Sequence, residues 1–168
     1  MVITKIEAQK KKGRYNIYLN DAFAFDVDEA TVVKYALFKG TELTKVQIKE
    51  IQQDDCIQQA YQKALHFLNF KLRSTKEVYE KLEKLEFDDD IINEVLGKLH
   101  EQNFINDTFY AESYLNQAKF VTFKGPKSIV FDLQKKGISD KVIQTVLEGY
   151  SLKEQLENAI QIAQSYLK

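Results

Sequence analysis

One cysteine, one proline, no tryptophan and two histidines occur in 168 residues, and each scarcity removes a class of protein. Cys56 alone cannot form an internal disulfide. With His66 and His100 it gives no His/Cys metal spacing. Six glycines are scattered without a phosphate-cradling loop, and no G-x-S-x-G is present, so no enzyme signature emerges. No run approaches the roughly 18 apolar residues of a membrane span. Met1–Lys12 is polar and lysine-rich without the apolar stretch of a secretory signal, so a cytoplasmic address is expected. Neither charge sign dominates: 24 basic residues face 25 acidic ones. That argues against a broadly basic coat protein but leaves room for local patches.

What is present is patterned. The charge runs in blocks: five basic and one acidic residue over 1–20, seven acidic and one basic over 86–110, six basic and three acidic over 111–141. Val2–Ile6, Tyr15–Leu19 and Ala22–Phe25 read as strands, with Asn20-Asp21 a two-residue hairpin turn that tolerates positive φ. A short helix headed by Asp28 is predicted through Leu37, closed by Gly40. After Thr41 the period becomes helical. Thr44/Gln47, Ser74/Glu77 and Ser151/Glu154 fit the capping box, in which side chain and backbone satisfy each other's free donors. Asp54-Asp55 and Asp88-Asp89 place acids where helix N-termini favour them, and Pro126 suits a first helical turn.

The strongest signal is an internal repeat. Shifted by 51 residues, Arg73–Leu99 aligns with Lys124–Tyr150 without a gap, and seven of 27 positions are identical, among them Leu82/Leu133, Ile92/Ile143 and Val95/Val146. Apolar positions three, four and seven apart mark buried helix faces. The predicted fold is mostly α: tandem three-helix repeats of about 51 residues after a small β-meander plus helix. The divisions are 1–53 (meander and helix), 54–106 and 107–150 (two repeats) and 151–168, the first helix of a third repeat. The predicted helices are 55–69, 74–85 and 89–99, then 107–120, 126–136 and 140–149. A repeat that stops after one helix leaves Ile160, Ile162, Ala163, Tyr166 and Leu167 as an apolar face, so the chain is expected to be part of a longer protein.

Catalytic and metal roles find no support. Asp88-Asp89-Asp90 diverge by about 100° per residue on a helix and read as first-turn acids rather than ligands. No cofactor is implied. The candidate partner-binding residues surround the N-termini of the second helices: Lys71, Arg73 and Lys76 in one repeat, Lys124 and Lys127 in the next, with Lys119 just before. Cations there oppose the helix dipole, so a phosphate or acidic partner is the expectation. Lys10, Lys11, Lys12 and Arg14 form a candidate phosphate-contacting hairpin. Operator reading by a helix-turn-helix is disfavoured, because the presumed recognition helix opens on three aspartates.

These residues resemble a family. Arg73-Ser74-Thr75-Lys76-Glu77-Val78 with Leu82, then Phe87, Ile91-Ile92 and Val95-Leu96, resembles the repeat of RecX regulatory proteins. Phe104-Ile105-Asn106-Asp107-Thr108-Phe109-Tyr110-Ala111 is similar to that family's link between repeats, and Lys124-Gly125-Pro126-Lys127 with Leu133 and Lys136-Gly137-Ile138 to its next segment. Ile3–Ile6, Arg14–Leu19 and Phe23–Phe25 resemble the extension of Gram-positive members. Two features depart from the pattern. The third repeat is incomplete, and Gln117, Val121 and Thr122 stand in a stretch that is often arginine-rich. The resemblance implies a non-enzymatic regulator, expected as a monomer, that binds the RecA–single-stranded DNA filament. It would inhibit the filament's ATPase, strand exchange and the co-protease activity behind the SOS response, in DNA recombination and repair. The alternative is a weak, nonspecific single-stranded nucleic-acid binder.

Overall fold

A computed structural model gives the fold for residues 1–10 and 12–167; Lys11 and Lys168 lie outside the described residues. The chain divides into two compact units, Met1–Gln62 and Lys63–Lys168.

In the first unit, β1 (Ile3–Ala8), β2 (Arg14–Leu19) and β3 (Ala22–Asp28) form an antiparallel sheet in that order. Asn20 and Asp21 take φ of 49° and 66°, the two left-handed residues a tight hairpin needs. Alternation puts Ile17, Leu19, Phe25 and Val27 on one face, where they bury with Ile3, Leu37, Leu43 and Ile51. Asp28 caps α1 (Glu29–Lys34), its Oδ1 accepting from Thr31 N–H. This helix is shorter than predicted. It ends at Tyr35, and Ala36 turns left-handed so that Leu37 enters the core, its N–H donated to Val32 O. Gly40 instead serves the loop behind, donating to Ile3 O.

The Thr44/Gln47 box opens α2 (Lys45–Leu68), which is one continuous helix of 24 residues. Asp54 and Asp55 therefore lie mid-helix and not at an N-terminus, and the predicted helix start at 55 is corrected. Their charges meet residues distant in sequence: Lys34 Nζ and Tyr35 Oη donate to Asp54, and Arg14 donates to Asp55.

The second unit follows the repeat: α3 (Thr75–Glu83), α4 (Asp89–Glu101), α5 (Asp107–Gln117), α6 (Pro126–Lys135), α7 (Asp140–Leu147) and α8 (Leu152–Tyr166). Ser74 and Ser151 close full capping boxes with Glu77 and Glu154. Pro126 sits in the first turn of α6, where its missing N–H costs nothing. The equivalent Thr75 keeps its N–H and gives it to Asp107 Oδ1 at 2.8 Å. Val78, Leu82, Ile92, Val95 and Leu99 are buried in one repeat, and Ile129, Leu133, Ile143, Val146 and Tyr150 in the next. Helix α5 does not run to 120 as predicted. At Ala118–Thr122 it widens into a π-helical turn that ends on left-handed Phe123. On α8, Leu152, Leu156, Ile160 and Tyr166 are exposed, as is Leu167 just after it, and Ile162 is half-buried.

Gly137 closes α6 with φ of 76°, and a Cβ there would lie 2.7 Å from Lys76 Cβ. Gly137→Ala is therefore expected to cost the ~1–2 kcal/mol of a left-handed non-glycine residue, plus the overlap. Gly40→Ala, also left-handed at φ +96° but with nothing within 4 Å of a built Cβ, shows the backbone cost alone. Thermal melts of the two variants measure the difference, and equal losses would remove the contact with Lys76.

Candidate functional site: the cations of the helical repeats

The helix-end cations fall into two groups. Arg73 stacks over Phe67, 4.0 Å from the ring centroid, and reaches Glu77 at 3.8 Å; its Nε is buried without an acceptor. Lys124 donates to Asp132 Oδ2 (2.7 Å) and Tyr114 Oη (3.0 Å), and those two bonds, Asp132 first, raise its pKa above the ordinary lysine value. Lys119 is buried. Its ammonium meets Glu154 Oε1 at 2.5 Å and donates to Gly149 O at 2.9 Å, between the rings of Phe120 and Tyr150. Each of these three cations thus has a carboxylate of the fold within reach, Glu77, Asp132 and Glu154 respectively.

Lys76 is exposed. It lies 3.8 Å from Glu80, donates to Lys135 O at 3.4 Å and covers Gly137. Lys71 and Lys127 are exposed and form no hydrogen bond or ion pair among the described residues. In the hairpin, Lys10 and Lys12 are exposed and Lys11 lies outside the described residues. Arg14 is not a solvent-facing cation: Asp26 and Asp55 take its guanidinium.

Sequence reasoning missed the contact between the repeats. Ser74 Oγ donates to Lys136 O (2.7 Å), and Lys136 Nζ donates to Glu77 Oε1 (2.7 Å). Burial alone would raise the Glu77 carboxyl. The hydrogen bonds from Lys136 and from Ser74 N–H outweigh it and hold the group below its ordinary value. Beside this contact opens a cleft of about 310 Å³ lined by Lys71, Leu72, Tyr110, Ser113, Tyr114, Gln117 and Lys136. The one available sequence signal was the polar i, i+3, i+4, i+7 face of α5 formed by Tyr110, Ser113, Tyr114 and Gln117.

At the other junction, Tyr150 Oη donates to Lys124 O and accepts from Asn158 Nδ2, while Lys119 pairs with Glu154. Hydrogen bonds from Lys119 and Ser151 bring the Glu154 carboxyl down to about 2. A depressed carboxyl contributes stability above its unfolded value, near 4.3, and loses it as pH falls through the folded value. Urea unfolding of the protein and of Glu154→Gln should differ at pH 6, converge between about pH 4 and 2, and coincide below. A constant gap across that range would show that the pair contributes nothing.

Asp89 Oδ1 accepts from Tyr79 Oη at 2.6 Å, and no group of three His, Cys, Asp or Glu among the described residues could hold a metal ion. No helix among the described residues is long and apolar enough to cross a membrane.

Residues 1–44 match the regulatory protein RecX N-terminal domain, 60–99 the first RecX three-helix domain and 106–147 the second. A crystal structure of regulatory protein RecX superposes with a TM-score of 0.78 at 36% identity, over 98% of this chain and 81% of that one. The chain belongs to the RecX family. RecX from Lactobacillus salivarius aligns with a TM-score of 0.64 at 39% identity, over 67% of this chain and 73% of that one. The regulatory protein RecX of Leuconostoc mesenteroides is 42% identical over 161 residues, 96% of this chain and 60% of the relative. That of Listeria welshimeri is 40% identical over 169 residues, 100% of this chain and 63% of the relative. The chain thus spans about three-fifths of the length of these curated RecX relatives. The three matched segments leave 45–59, which lies within α2, together with 100–105 and 148–168, unassigned.

Proposed function

We propose that this chain, or the protein of which it is a part, binds the RecA–single-stranded DNA filament in the cytoplasm. There it restrains ATP hydrolysis, strand exchange and the co-protease activity that triggers the SOS response. The observation that carries the reading is the duplicated three-helix unit. Identical buried positions recur 51 residues apart, and successive units offer similar surfaces to a partner that is itself repetitive. Contacts that are weak one by one then sum along the array. Kinship with proteins named as regulatory supports it, and the proposed mode of action is binding rather than catalysis.

RecA ATPase on single-stranded DNA, titrated with this chain and with the whole Leuconostoc relative, tests the proposal. Inhibition by this chain supports it. Inhibition by the relative alone assigns the activity to the remaining two-fifths of the longer protein, and no effect from either ends the reading. Lys71→Glu with Lys127→Glu tests the helix-end cations in the same assay, since neither residue holds the fold together. Full inhibition by that variant removes them as contacts.

A further inference from the structure

Helix α8 turns its polar side inward and its apolar side out. Glu154 meets Lys119, Gln155 Nε2 donates to Tyr150 O at 2.8 Å, and buried Asn158 Nδ2 donates to Tyr150 Oη at 2.8 Å. Among the described residues, half-buried Ile162 is the one apolar side chain on that side of the helix. The other side exposes Leu152, Leu156, Ala159, Ile160, Ala163 and, just after the helix, Leu167. With 3.6 residues per turn, these six fall within an arc of about 100° and a length of about 22 Å. A stripe of that width faces a core or a partner, and none of the six belongs to the core of the second repeat.

The order of side chains along the stripe selects the partner. Its spacings, four, three, one, three and four residues, are the same in both directions. A second α8 turned end over end therefore sets Leu152 opposite Leu167, Leu156 opposite Ala163 and Ala159 opposite Ile160. Each pairing occurs twice about a two-fold axis, as a self-complementary patch requires. At the inner pairings a large side chain meets an alanine, which lets the two helices interdigitate. Charge favours the same orientation. Lys153, Glu154 and Glu157 lie in the first half of α8, and residues 161–167 carry no charge. An antiparallel pair sets the charged half against the neutral half, whereas a parallel pair would set each charge beside its own copy.

We propose that the outer face of α8 is a homodimer interface, on which two copies of this chain pack antiparallel about a two-fold axis near Ala159 and Ile160. This dimer takes the place of the monomer that the family resemblance implies. A seam one helix wide is small beside the ~800 Å² per partner of a standard interface, so association is reversible, half complete at about 10–100 μM chain. Sedimentation velocity of the intact chain from about 1 to 300 μM should pass from one chain to two and stop there. Leu156→Glu is expected to raise the dissociation constant about tenfold or more. Leu156 is 63% exposed in the single chain, so the fold is preserved and checked by circular dichroism. Register is read by single cysteines on a Cys56→Ala background. Ala159→Cys lies beside its own copy at the two-fold axis and should form an intermolecular disulfide on oxidation. Leu152→Cys lies about 22 Å from its copy and should not. A chain that stays monomeric at the highest concentration leaves the stripe to another occupant, such as the residues by which the curated relatives are longer, and overturns the proposal. Growth past the dimer, equal cross-linking of the two cysteines, or an unaltered dimer in Leu156→Glu overturns it as well.

Discussion

Asp55→Ala is expected to destabilise the N-terminal unit by about 3–5 kcal/mol, the usual cost of removing one member of a buried ion pair. The Asp55 side chain is 4% exposed and receives four donors. Arg14 Nη1 donates at 3.0 Å, Asp28 N–H at 2.7 Å, Thr31 Oγ1 at 3.3 Å and Gln59 Nε2 at 2.7 Å. One carboxylate thus joins β2, the start of α1 and α2. Removing it leaves Asp26 as the one carboxylate on a guanidinium that is itself only 12% exposed, and leaves a backbone donor unpaired. Hydrogen exchange of the β2 and β3 amides reads the loss in the unit where it occurs. Because Arg14 and Asp55 act on each other, Arg14→Ala with Asp55→Ala should cost clearly less than the sum of the single variants. Additive losses, or a single loss below about 1 kcal/mol, would show that the junction is not held by this pair.

The second large effect lies in the repeats. Leu82 and Leu133 occupy equivalent positions and are both fully buried, the latter among Leu115, Ile129, Ile143 and Val146. Each replaced by alanine should cost about 2–5 kcal/mol, the lost burial plus the cavity left behind. Phe131→Ala, two residues from Leu133 but 66% exposed, should stay within about 0.5 kcal/mol. Urea denaturation of the three variants compares the two repeats directly. A loss at Leu82 but none at Leu133 would mean that the second repeat contributes little to the cooperative unit.

Sequence alone reveals those parts of the molecule whose causes are local. Ser74 with Glu77, Thr44 with Gln47 and Ser151 with Glu154 satisfy one another over three residues, and Asn20-Asp21 closes its own turn, so each was legible. The repeat was legible because burial selects the same side chains in both copies. Misreadings arose where the deciding partner is far along the chain. Asp55 looks like a helix-start acid until Arg14, 41 residues earlier, comes to meet it. Lys119 looks like a free cation until Glu154 closes over it. At Ala36 a left-handed alanine, which propensity disfavours, is held by the burial of Leu37 next to it. The cleft draws on residues 71–72, 110–117 and 136, and no short window of sequence contains it.

The contact of Ser74, Lys76 and Glu77 with Lys136 and Gly137 has a direction. The opening of α3 rests on the close of α6, and the converse contact is absent by residue type. Counted 51 residues on or back, Gly125, Lys127 and Ser128 replace the first set, Leu85 and Glu86 the second. Glu86 keeps the left-handed turn, at φ 63°, but not the glycine. The pair of repeats therefore has a head and a tail and is not related by a two-fold axis. A non-reciprocal contact of this kind, applied again, acts as a screw operation: it closes no dimer and instead carries each copy forward along an open, handed path.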